Sequence, residues 1–342
     1  MLSLPQVPAL ANSNGLSLAA AAAASGRPRE CMSKIRRGAA AGPSVWERAR
    51  VPNLQRYCDL VARAHAKLSG NPEEARQDAA LAEKALPGHA APAVIEARAQ
   101  LSLGALDVAA KAFEKARGID ARSVEDPATM HDLARVLAKT GKMSEALSVY
   151  RALVPRVDLL GAPDTRVAVL LSAAFVSMAT EAAAPPAHKG GTAAESGSAD
   201  LVKRAPLEEA IAYLREARQR PPTQLAGDVV LALVLLLDRS GDKAQADAAL
   251  SDAQRMSAKL RSGTLDYLAD ADDRHALVAL AVENQDRAQA IKHWEDFLAS
   301  PAGKGIWAAS ARARLGDLRK AGGGKTAAVP AKNSSPKPLK KP

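Results

Sequence analysis

Small and bulky apolar residues return at fixed distances along residues 53–320. After Gly104, Ala109 stands five residues on, Phe113 nine on and Ala116 twelve on. After Gly141 the same offsets hold Ala146, Tyr150 and Leu153, and after Gly241 they hold Ala246, Leu250 and Ala253. Gly70 leads a copy with Ala75, Ala79 and Ala82, and Gln285 takes the glycine's place before Ala290, Trp294 and Phe297. These offsets share one face of an α-helix. Seven residues before the anchors stand Ala97, Ala134, Val234 and Val278, with Arg63 as the exception. The pattern predicts helical hairpins. Glycine ends a first helix in the left-handed conformation. The small residue at offset five lets the second helix approach it, and the bulky residue at nine fills the gap towards the next hairpin.

Local capping signals agree with that reading. Asn71-Pro72-Glu73-Glu74 supplies a capping side chain, a first-turn proline and two carboxylates at a helix start. Asp126-Pro127 and Pro206-Leu207-Glu208-Glu209 repeat parts of it. Such hairpins cannot bury their apolar faces alone and must stack on one another. Six are predicted, over residues 53–87, 90–121, 127–157, 163–220, 225–259 and 272–300. The fourth carries an insertion at 181–200, marked by Pro185-Pro186 and Gly190-Gly191, with Ala210, Leu214 and Ala217 on its second helix. Residues 304–320, with Trp307, Ala311, Leu315 and Leu318 on one stripe, predict a capping helix.

The Gly-x4-Ala-x3-Phe-x2-Ala run from Gly104 to Ala116, with Pro87 closing the first unit, resembles the tetratricopeptide repeat (TPR) family over about residues 53–320. The resemblance implies an all-α, right-handed α-solenoid whose first helices line a concave groove. It places groove positions about ten, six, three and two residues before each anchor. Around Gly104 and Gly141 these include Arg98, His131, Arg135 and Lys139, with Arg98 and Arg135 expected side by side. Around Gly241 and Gln285 they include Asp238, Arg239, His275 and Glu283, mixed in sign. The partner expected in the basic half is a protein or peptide, acidic or carboxylate-bearing, held by charge-assisted hydrogen bonds. The family's carboxylate clamp for chaperone tails uses Lys and Asn; here Arg98 and Arg135 stand where Asn is expected, which argues against that role.

Composition narrows the picture further. The 342 residues hold 77 alanines but only 3% aromatics, too few to fill the pleated faces of a β-sandwich or barrel. The net charge of +10 sits in the ends. Residues 1–50 carry seven Lys and Arg against two acids, and residues 320–342 carry six Lys and none. That leaves 34 basic and 35 acidic residues between them. Residues 1–50 read as a low-complexity segment and 321–342 as a disordered basic tail. A nucleic-acid-associated regulator acting through these tails is one alternative, although a nucleic-acid-binding domain carries its basic stripe on the folded body.

Leu16–Ala24 followed by Ser25-Gly26 resembles a weak export signal without its basic leading region, and Met32 offers another start. Export as a periplasmic or envelope assembly factor is therefore a second alternative to a cytoplasmic protein. Cys31 and Cys58 could pair in an oxidising compartment, but are read first as unpaired thiols. The longest apolar run, Val229–Leu237, is short of the roughly 20 residues that span a bilayer, and no transmembrane segment is expected.

Candidate chemistry is sparse. Gly322-Gly323-Gly324-Lys325-Thr326 ends like a phosphate loop but has Arg319 where the first glycine belongs. His65, His89, His131, His188, His275 and His293 show no pairing four apart. Asp270, Asp272 and Asp273 before His275 read as a solvated face. The sequence predicts no catalytic residue, cofactor or metal, and a non-enzymatic interaction protein.

Overall fold

The computed structural model describes residues 31, 35–36, 39–40, 51–183, 206–261 and 265–322. Among the described residues, apart from a two-residue antiparallel ladder between β1 (Ile35–Arg36) and β2 (Ala39–Ala40), the regular structure is helical. Neighbouring helices pack in pairs: α1 (Leu54–Lys67) with α2 (Pro72–Ala85), α3 (Ala90–Ser102) with α4 (Leu106–Ile119), and α5 (Pro127–Lys139) with α6 (Met143–Leu153). Then come α7 (Pro163–Ala183) with α8 (Pro206–Gln219), α9 (Ala226–Ser240) with α10 (Lys243–Arg255), and α11 (Asp273–Val282) with α12 (Arg287–Ala299). The last helix, α13 (Ala308–Gly322), packs on α12. Along the chain α1, α3, α5, α7 and α9 each touch the next first helix as well.

Among the described residues, the turns inside the pairs are of two kinds. Gly104, Gly141 and Gly241 have φ of 79°, 81° and 81°, the left-handed region that only glycine enters without strain. In all three, the N–H of the following residue reaches five back, Ala105 to Gln100, Lys142 to Leu137 and Asp242 to Leu237, and so satisfies an orphan carbonyl. Gly70 departs from the expectation. It lies outside the positive-φ set, and the next N–H, of Asn71, reaches only four back, to Lys67. Gln285 has the same turn, with Asp286 bonding to Val282. In both, the residue after the anchor caps the second helix: Asn71 accepts from the Glu74 N–H and Asp286 from the Gln289 N–H. This turn needs no positive φ, so glutamine fits.

The repeat offsets are interior positions. Ala75, Ala109, Ala146, Ala246 and Ala290 are fully buried, and so are the bulky Phe113, Tyr150 and Trp294 at offset nine. One apolar cluster runs from α7 to α13, a second joins α3 to α7, and a third joins Cys31 to α1, α2 and Ile95 and Ala99 of α3. Helix α7 has the length and hydropathy of a membrane span, but most of that stretch is buried within the fold, with Leu170, Leu171 and Phe175 in the largest cluster.

Two expectations are corrected. Helix α7 continues to Ala183, past the expected start of the insertion; the rest of 181–200 lies outside the described residues, as does the tail beyond Gly322. Cys31 and Cys58 are not free thiols: they form a disulfide, buried with Tyr57 and Val61. The N-terminal export segment and Met32 also lie outside the described residues.

Candidate binding surface

Helices α3 and α5 bring two of the four predicted basic or imidazole positions, Arg98 and Arg135, around one carboxylate. Arg98 Nε donates to Asp132 Oδ2 at 2.7 Å, and Arg135 Nη1 lies 3.8 Å from Asp132 Oδ1. The two guanidiniums thus flank Asp132, which stands one position after His131. Arg135 Nη2 and Lys139 Nζ each lie 3.7 Å from the carboxylate of Asp266, whose side chain is half exposed. Asp266 belongs to the connection between α10 and α11, far along the chain. The predicted basic face therefore already holds an acidic stretch of the same polypeptide.

That stretch is anchored beside the charges. Tyr267 packs its ring against Phe175 of α7, with centroids 5.6 Å apart, and its hydroxyl donates to Asp228 Oδ1 at 2.6 Å. Asp228, at the start of α9, also accepts from the Arg261 N–H at 3.1 Å. Burial pushes the Asp228 carboxyl up from its ordinary value, against the pull of Tyr267 and Arg261; burial and the Asp228 charge push the Tyr267 hydroxyl up. Gly227 makes room: a Cβ there would stand 2.2 Å from the Lys259 carbonyl oxygen. Ala269 packs at the edge of the clusters of both halves.

His131 is placed differently from its neighbours. Its ring lies 6.0 Å from that of Tyr150 on α6, and its Nδ1 is buried with no hydrogen-bond partner among the described residues. Burial lowers its pKa to about 4, assisted by Arg135 and Arg98 and opposed by Asp132. It stays neutral at physiological pH and acts as part of the packing between α5 and α6.

The mixed-sign half resolves into internal pairs. Arg239 is held by Asp273, and its guanidinium lies over the rings of Phe297 and Trp307 at 5.5 and 5.2 Å. Arg314 of α13 reaches back to Asp238 of α9 and Asp247 of α10, each at 3.0 Å. Burial pushes the Asp238 and Glu283 carboxyls upward, with Arg314 opposing in both. The three aspartates before His275 do not join it. Asp270 accepts from the Asp272 N–H, Asp272 from the Ala302 N–H, and Asp273 pairs with Arg239. His275 instead faces His293 of α12.

Sequence reasoning missed Asp132, Asp266, Tyr267 and Arg314. Asp132 had a usable signal: it stands three residues before Arg135, so it shares that residue's helix face. Asp266 and Tyr267 had none, because they sit in a connection that carries no repeat offset. No protein-family model matches the chain, and no curated protein matches it either.

Proposed function

We propose that the chain is a non-enzymatic, right-handed α-solenoid of TPR type that binds an extended acidic peptide of a protein partner along its first helices. The observation that carries this reading is the seat of Asp266 and Tyr267, with the carboxylate against Arg135 and Lys139 and the ring against Phe175. A face that holds an acidic-aromatic stretch of its own chain suits the same chemistry in a partner. Ion pairs of 3.7 Å to a half-exposed carboxylate contribute about 1 kcal/mol or less, so a partner can displace them. Apolar burial beside Phe175 supplies affinity and the charges set direction.

The test uses a fluorescein-labelled peptide of residues 265–270, Leu-Asp-Tyr-Leu-Ala-Asp, added to the full chain carrying Asp266→Ala and Tyr267→Ala. Anisotropy should show saturable binding that weakens about tenfold or more, worth roughly 1.4 kcal/mol, when Arg135→Glu and Lys139→Glu are added. Circular dichroism checks that each variant keeps its helices. Absent binding, or binding indifferent to charge reversal, sinks the proposal.

The Cys31–Cys58 disulfide favours one setting for this function. Such bonds persist in oxidising compartments, which suits an exported interaction or assembly factor. Alkylating cells of the source organism before lysis tests it: both cysteines trapped as free thiols would exclude this setting.

A further inference from the structure

We propose that His275, His293 and Asp296 form a binding site for a divalent transition-metal ion, with Zn²⁺ the best fit. His293 and Asp296 stand three apart on α12 and so share a face. His275 comes from the first turn of the paired helix α11. One donor atom from each of the three lies within 4.8 Å of the others, and all three residues are partly buried. The imidazole rings face each other with centroids 5.9 Å apart.

A second observation points the same way. Nδ1 of His293 is buried and has no hydrogen-bond partner among the described residues. Burying a polar ring atom without a partner costs free energy. A role in ligand binding accounts for keeping an imidazole rather than an apolar side chain at this position.

The donor set selects the ion. Two imidazoles and one carboxylate suit zinc and its first-row neighbours. Calcium and magnesium take oxygen donors almost exclusively. Zinc bonds of about 2.0–2.1 Å place tetrahedral donors about 3.3 Å apart. Closing from 4.8 Å needs a shift of about 1.5 Å, within reach of side-chain rotation in partly buried residues. Three protein ligands leave a coordination position for water or for a donor from a bound partner. The site uses no residue of the peptide face, which is built from α3, α5, α7 and α9.

The experiment titrates tag-free full-length protein, stripped with a chelator, with Co²⁺ and then with Zn²⁺. Visible d–d absorption should saturate at one equivalent of Co²⁺ and be bleached by Zn²⁺. The His275→Ala and Asp296→Asn variants should each bind on the order of ten- to a hundredfold more weakly, and His65→Ala should bind as the unmodified chain does. Asp296→Asn preserves size and shape, so it keeps the test open if removing an imidazole disturbs the α11–α12 pair. No saturable band, or an unchanged affinity in both ligand variants, overturns the proposal.

Discussion

Arg239 Nη2 lies 2.5 Å from Asp273 Oδ1, and the two side chains are 1% and 3% exposed. The pair joins α9 to α11, and Arg239 also touches Met178 of α7 and the rings of Phe297 and Trp307. Removing one partner leaves a buried charge without its counterion, which costs about 3–5 kcal/mol, whereas replacing both by apolar groups is often close to neutral. Asp273→Ala should therefore lower the stability read from urea unfolding by about 3 kcal/mol or more. The Arg239→Met, Asp273→Leu double variant should recover most of that loss. A single variant within 1 kcal/mol of the unmodified chain, on the order of surface-pair energies, would mean the pair is not buried in solution.

The disulfide closes a loop of 27 residues between Cys31 and Cys58. Constraining a loop of that length in the unfolded chain stabilises the fold by about 3.5 kcal/mol in the chain-entropy account. Thiol titration of protein prepared under oxidising conditions should find no free cysteine. Adding reductant, or Cys31→Ser with Cys58→Ser, should lower the stability of the α1–α3 region by roughly 2–4 kcal/mol. Hydrogen exchange should place the loss there, in the cluster that contains Cys31, Tyr57 and Val61. Unchanged protection on reduction would show that the bond constrains nothing.

What could be read in the sequence was what local chemistry fixes. Gly104, Gly141 and Gly241 end helices because only glycine enters their conformation cheaply, and the alanines at offset five mark the close approaches. Gly70 misled because its turn closes through the four-back bond of Asn71 to Lys67, which needs no positive φ, and Gln285 closes the same way through Asp286 and Val282. The candidate face was legible only as a row of cations on α3 and α5. Its other half is contributed by Asp266 and Tyr267, about 130 residues further on, and periodicity carries no information about which distant connection folds across which helices. His275 and His293 stayed apart for the same reason: helix pairing, not spacing, brings them together.

His131 predicts an acid-sensitive step. Its folded pKa of about 4 lies below the 6.5 of an exposed histidine because burial disfavours the charged ring. Between these values the unfolded chain binds the proton and the folded chain does not. The contribution is thus present above pH 6.5 and is lost as pH falls towards 4, by at most about 3 kcal/mol. A His131→Gln variant lacks this titration, so the stability difference between it and the unmodified chain should shift across that window and stay flat above it. A difference independent of pH would show that His131 is protonated equally in both states.

Gly227 offers a way to release the seated segment without touching the charges. Its missing Cβ is what lets the Lys259 backbone lie against α9, where an added methyl would meet the carbonyl oxygen at 2.2 Å. That contact is backbone, so it cannot swing aside as a side-chain tip would. Gly227→Ala should cost about 1–3 kcal/mol as an overpacked contact. It should also loosen the Arg261 N–H bond to Asp228. Hydrogen exchange at Arg261 should rise. The labelled 265–270 peptide, which otherwise competes with the chain's own Asp266 and Tyr267, should bind several-fold more tightly, a gain on the order of 1 kcal/mol. Faster exchange at Arg261 with unchanged peptide affinity would show that the segment and the added peptide do not share the face.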